Sequence, residues 1–88
     1  MRKLYKVLFY GKVQGVGFRA TCARLANRLN IFGYVKNLED GSVEAVFDCD
    51  KNSVMEIVEK LKNIFEIENI AIEEIESDKK FSRFEIIL

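Results

Sequence analysis

Phe32-Gly33-Tyr34-Val35-Lys36-Asn37-Leu38-Glu39-Asp40-Gly41-Ser42-Val43-Glu44-Ala45-Val46-Phe47-Asp48-Cys49 is the stretch from which the rest of the chain can be placed. Phe32 to Leu38 and Ser42 to Cys49 are short β-prone segments. Between them Glu39-Asp40-Gly41 carries an Asp-Gly pair, which supplies the positive φ angles of a tight hairpin turn. The two segments are expected to be antiparallel neighbours. Upstream, Leu4 to Val13 alternates Tyr5, Val7, Phe9, Gly11 and Val13 against Lys6, Leu8, Tyr10 and Lys12, the period of a strand. From Phe18 the apolar positions change to Phe18, Cys22, Leu25, Ala26 and Leu29, one face of an amphipathic helix that Asn30 and Gly33 help to end.

Downstream, Asp50 suits the N-cap of a second helix, with the apolar stripe Val54, Ile57, Val58, Leu61, Ile64 and Phe65. Asn69 to Ser77 and Phe81 to Leu88 read as two further strands around a polar turn at Asp78-Lys79-Lys80. The order is βαββαβ plus a C-terminal strand. Both helices are apolar on one side only, so both should lie on the same face of a mostly antiparallel sheet. The fold class is α+β, a ferredoxin-like α/β sandwich.

Eighty-eight residues with 49% hydrophobic content suffice for one core and leave no room for a second, so residues 1–88 are expected to form a single domain. No apolar run reaches the roughly 20 residues of a bilayer span. Cys22 and Cys49 have neither the number nor the spacing of a disulfide framework or a zinc site, and a reducing cytoplasm suits them. Net charge is zero, which argues against general affinity for nucleic acid. Its distribution is uneven: residues 1–38 hold eight basic and no acidic residues, whereas the remainder holds six basic and fourteen acidic ones. An anion site is therefore expected in the first half, although segregation for solubility would give the same count.

Gln14-Gly15-Val16-Gly17-Phe18-Arg19 lies where a strand stops and a helix starts, a place where backbone N–H groups converge on an anion. Two glycines allow the backbone to curl, and Arg19 adds a planar guanidinium able to take two phosphate oxygens at once. The same hexapeptide reads equally well as a glycine turn ahead of a helix with Arg19 on its solvent face. Two overlapping motifs fail on context. Gly15, Gly17 and Ala20 with Glu39 match a dinucleotide-binding fingerprint, but the hairpin denies it the parallel crossover it needs. Cys22 and Arg28 have the C-x5-R spacing of cysteine-dependent phosphatases, but helical periodicity puts Cys22 on the buried stripe.

Gly11-Lys12-Val13-Gln14-Gly15-Val16-Gly17-Phe18-Arg19, then Gly33-Tyr34-Val35-Lys36-Asn37, then Asp40-Gly41-Ser42-Val43-Glu44 resemble the acylphosphatases in motif, spacing and order. The likeness extends over essentially the whole chain, with Tyr34 standing where that family more often has tryptophan. The resemblance implies hydrolysis of the carboxyl-phosphate bond of acyl phosphates. It implies a phosphate held by Arg19 and the loop amides of Gln14, Gly15, Val16, Gly17, Phe18 and Arg19, and a water oriented by Asn37. By its own residue type and place, Asn37 would read as a turn or strand-end residue.

The chemistry suits the side chains available. The leaving carboxylate of a mixed anhydride is weakly basic and departs unprotonated, so the absence of histidine is no obstacle. The carboxylates are scattered over the second half, Glu73, Glu74 and Glu76 reading as a solvated edge strand. No metal and no other cofactor is expected. The expected partner is a small acyl phosphate, with no nucleic acid and no membrane, and the chain is expected to act as a monomer. Two other readings share the fold: an RNA-binding domain stacking bases on Phe9, Tyr10 and Phe47, and a regulatory domain without turnover.

Overall fold

A computed structural model describes residues 2–88, leaving Met1 outside. The elements follow in the order β1 (Arg2–Gly11), α1 (Phe18–Arg28), β2 (Phe32–Asn37), β3 (Val43–Asp48), α2 (Lys51–Ile64), β4 (Ile67–Ser77) and β5 (Phe84–Ile87). The sheet order is β4-β1-β3-β2-β5. Every pairing is antiparallel except that of β2 with β5. This is the α+β ferredoxin-like arrangement expected from the element order.

The register decides which ends meet. Phe9 faces Val43, Asn37 faces Val43, Gly11 faces Ile67, and Lys36 faces Ile87. The loop after β1, the hairpin after β2, the entry to β4 and the exit from β5 therefore share one end of the sheet. Alternation assigns the faces: Val7 and Phe9 of β1, Val35 of β2 and Ala45 and Phe47 of β3 are buried with both helices. Phe9 touches Phe18 at a centroid separation of 4.9 Å and Phe18 touches Phe65 at 5.0 Å. This chain of rings ties β1 to the start of α1 and the end of α2. Each such ring contributes roughly 1.5–3 kcal/mol by burial.

The element boundaries differ from the sequence reading for local reasons. β1 ends at Gly11, not Val13, because the Val13 N–H turns back to the Gly11 carbonyl at 3.0 Å, a three-residue turn, while the Lys12 N–H crosses to the Glu66 carbonyl at 3.0 Å. α1 is ended by Asn30, which takes φ 57°. The Ile31 N–H reaches the Ala26 carbonyl at 2.9 Å and that of Asn30 reaches Asn27 at 3.1 Å, the paired closure of a left-handed C-terminal cap. Gly33 plays no part in that ending. It lies inside β2 at φ 144°, where a Cβ would come within 1.9 Å of the Val46 carbonyl oxygen. Asp50 occupies the N-cap position of α2, but its side chain makes no capping bond. Ile64, expected on the buried stripe, is 57% exposed.

The hairpin needs one positive φ rather than several. Gly41 takes φ 92°, the Gly41 N–H donates to the Leu38 carbonyl at 3.2 Å, and the Leu38 N–H donates to Ser42 O at 2.9 Å. This is a three-residue loop closed by a glycine bulge. Asp40 instead accepts from the Ser42 backbone N–H at 2.9 Å and its hydroxyl at 2.5 Å. Those bonds hold its carboxyl below the usual carboxylate range.

The uneven charge is partly matched across strands. Lys3 pairs with Glu74 and Lys6 with Glu73 between β1 and the edge strand β4, Lys36 pairs with Glu44, and Arg2 with Asp48. The first two are exposed pairs and contribute at most about 1 kcal/mol each, whereas the Glu44 and Asp48 carboxylates of the other two are largely buried. Lys12, Arg19, Arg24 and Arg28 form no salt bridge among the described residues. Within residues 2–38, the unmatched positive charge lies on the loop after β1 and on α1.

Candidate active site

At the shared end of the sheet, a concavity of about 190 Å³ is lined by Val13, Gly15, Gly17, Phe18, Arg19, Ala20, Asn37 and Ile86. Its floor is the turn into α1. Gly15 takes φ 75° and Gly17 φ 83°, and a Cβ added at either would meet nothing within 4 Å. Both positions are thus constrained by backbone conformation and not by space. Gly17 is the N-cap of α1 and provides no side-chain cap, and the first turn carries no acidic residue. The first amide to donate there is that of Thr21, to the Gly17 carbonyl at 3.1 Å. The N–H groups of Phe18, Arg19 and Ala20 therefore have no partner within the helix and give its N-terminus a positive partial charge.

Arg19 enters from the first turn of α1 and is half-buried. Its Nη1 lies 3.4 Å from the Ile87 carbonyl oxygen in β5, a long contact that leaves most of its five N–H donors free. Asn37, the last residue of β2, shares the helix-facing side with Gly33 and Val35 by alternation. Its Oδ1 is buried and has no hydrogen-bond partner among the described residues. A buried acceptor without a partner costs on the order of 1–3 kcal/mol, and this one belongs to a residue that lines the concavity.

The residues expected at the site divide into two groups. Gly15, Gly17, Phe18, Arg19 and Asn37 line the concavity; the side chains of Gln14 and Val16 do not. The Gln14 Nε2 donates to the carbonyls of Leu38 and Ser42, both at 2.8 Å. This fastens the glycine loop to the hairpin that follows Asn37, so the two halves of the site are joined by hydrogen bonds from one side-chain amide. Val16 lines a neighbouring groove with Lys12, Ile64, Phe65 and Glu66. Val13, Ala20 and Ile86 were not foreseen. The first two follow from the turn geometry, and Ile86 arrives from the far end of the chain through the parallel pairing of β5 with β2, which no local pattern announces.

Tyr34 lies on the opposite face of β2, its hydroxyl donating to Glu44 Oε2 at 2.7 Å. Burial, and then that carboxylate, push its pKa up to about 12. Cys22 is wholly buried within α1, and desolvation pushes its thiol up to about 12. At neutral pH it supplies no thiolate. Phe9 and Phe47 are fully buried, so two of the three aromatics that could have stacked an RNA base are inaccessible. Among the described residues, no group of three or more Cys, Asp or Glu side chains is placed to hold a metal ion, and no helix is long and apolar enough to cross a membrane.

Comparison with known proteins identifies the family. The family model described as Acylphosphatase matches residues 5–86. An acylphosphatase of Picrophilus torridus is 42% identical over 79 residues, covering 90% of this chain and 95% of that protein. One from Paraburkholderia xenovorans is 39% identical over 84 residues, covering 92% and 87%. The crystal structure of the acylphosphatase from Bacillus subtilis superposes with a TM-score of 0.87 at 32% identity, covering 98% of this chain and 99% of that one. With the matched region running from the first strand to the last, the chain belongs to the acylphosphatase family.

Proposed function

We propose that residues 1–88 act as one domain that hydrolyses the carboxyl-phosphate bond of small acyl phosphates to a carboxylate and inorganic phosphate. The observation that carries this reading is the unpartnered Oδ1 of Asn37 in the same concavity as Arg19 and the turn into α1. The phosphate would be held by the guanidinium of Arg19 and the loop amides from Gln14 to Arg19. Asn37 Oδ1 would accept a hydrogen bond from a water aligned with the phosphorus, while its amide N–H groups face a phosphate oxygen. The water oxygen forms a bond to phosphorus, and the bond from phosphorus to the acyl oxygen breaks. The carboxylate leaves with the electron pair, and the water's proton passes to a non-bridging oxygen of the phosphate.

No residue of the site is asked to donate a proton to the leaving group. In a loose phosphoryl-transfer transition state, holding, neutralising and aligning are what remain for the protein to supply. The reading includes a monomer working in the cytoplasm without a metal; the two free thiols suit a reducing compartment.

Purified protein is expected to hydrolyse acetyl or benzoyl phosphate, to spare a simple phosphate monoester, and to be inhibited competitively by inorganic phosphate. Activity should be unchanged by a chelator. Loss of turnover on chelation, restored by a divalent ion, would overturn the metal-free chemistry. Cys22→Ala is expected to cost about 1–2 kcal/mol in denaturant-measured stability while leaving turnover of the folded fraction intact. Abolished turnover in a folded Cys22→Ala protein would instead point to a cysteine nucleophile.

A further inference from the structure

Beside the cradle lies an open groove of about 310 Å³ lined by Lys12, Val16, Ile64, Phe65 and Glu66. Its apolar walls are unusual for their positions. Val16 at the tip of the glycine loop is 49% exposed and Ile64 at the end of α2 is 57% exposed. The Phe65 ring next to them is held by Phe18 at 5.0 Å. Gly15 and Gly17 line the cradle while Val16 between them lines the groove, so the loop is a ridge with one concavity on each side.

The sheet order fixes which side is which. Asn37 and Ile86 belong to the neighbouring strands β2 and β5, whereas Lys12 follows β1 and Glu66 leads into β4, at the other end of the order β4-β1-β3-β2-β5. β2 and β4 are three strand spacings apart, roughly 14 Å. In-line displacement requires the leaving group to depart opposite the attacking water. A water held by Asn37 attacks from the β2 and β5 side, which directs the acyl group towards the β1 and β4 side, where the groove lies.

We infer that this groove receives the acyl group, and that the enzyme favours acyl phosphates with a compact apolar acyl group, aromatic or branched aliphatic, over acetyl phosphate. The inference rests on the proposed hydrolysis of acyl phosphates. The groove's volume is at the lower end of the range for small-molecule sites, which fits an acyl group alone once the phosphate is in the cradle. Ile64 is the wall residue to vary, because it is exposed and outside the cradle.

The test measures kcat/KM for benzoyl phosphate and acetyl phosphate with the parent, Ile64→Ser and Ile64→Leu proteins, together with inhibition by inorganic phosphate. Ile64→Ser is expected to lower the benzoyl-to-acetyl ratio about tenfold, the low end for losing apolar contact in a substrate pocket. Acetyl phosphate, with only a methyl to place in the groove, should lose much less, phosphate inhibition should not change, and Ile64→Leu should keep the parental ratio. An unmoved ratio, or an equal fall for both substrates, overturns the assignment of the groove. Acetyl phosphate turnover by the parent is the separate check: its absence overturns the activity itself, whereas an unmoved ratio with that turnover intact overturns only the groove.

Discussion

Arg19→Lys is expected to lose nearly as much activity as Arg19→Ala, each falling on the order of 10³-fold in kcat/KM, the upper scale for removing a group that stabilises transition-state charge. The side chain is positioned by the first turn of α1 and forms no salt bridge among the described residues. Its planar fork can take two phosphate oxygens while the helix amides take others. A lysine would bring the same charge as a single point, hold fewer oxygens in fixed directions, and leave the phosphate free to rotate away from the line of attack. The measurement is steady-state hydrolysis of benzoyl phosphate by both variants, with far-ultraviolet circular dichroism to confirm the fold. A lysine variant at near-parental rate would show that charge alone suffices.

Asn37→Ala should leave the domain folded and reduce kcat by roughly 10²-fold or more, the scale for losing a positioned hydrogen bond in the transition state. Inhibition by inorganic phosphate should change much less, because the arginine and the loop amides remain. The substitution removes a buried acceptor that has no protein partner, so stability should hold or rise slightly. Asn37→Asp separates shape from hydrogen bonding. It keeps the size, removes the donor and sets a negative charge beside an anionic substrate, so both phosphate inhibition and turnover should weaken. Two folded variants hydrolysing benzoyl phosphate at the parental rate would leave Asn37 as a strand-end residue only.

The architecture could be read from the sequence because its signals are local and repeat along each element. Tyr5, Val7 and Phe9 alternate, Cys22, Leu25 and Ala26 follow a helical stripe, and Asp40-Gly41 closes a hairpin. Together they leave few ways to arrange two one-sided helices and a sheet. Where interactions are not periodic the reading falls short. Gly33 looks like a helix terminator from its place after Asn30, yet its requirement comes from the Val46 carbonyl on the neighbouring strand. Ile64 continues the apolar stripe by spacing, but it is the last residue of α2 and its side chain is left mostly exposed. At the site, the loop, Arg19 and Asn37 carry the resemblance. The Gln14 hydrogen bonds to Leu38 and Ser42 and the contribution of Ile86 depend on which strand ends meet, which only the assembled sheet determines.

The register of β1 against β4, with Arg2 opposite Ser77 and Gly11 opposite Ile67, also bears on how the molecule reaches this state. The first strand occupies an inner position of the sheet, and its outer neighbour is supplied by a segment more than half the chain away. Closing that distance must wait for loop-closure entropy to be overcome, so refolding should be slower than for a helical bundle of equal size. The 88 residues contain no proline, which removes prolyl isomerisation as a source of slow phases. Recovery of hydrolysis after dilution from denaturant would then report directly on the meeting of distant strands, because the cradle draws residues from both ends of the chain and exists only once they have met.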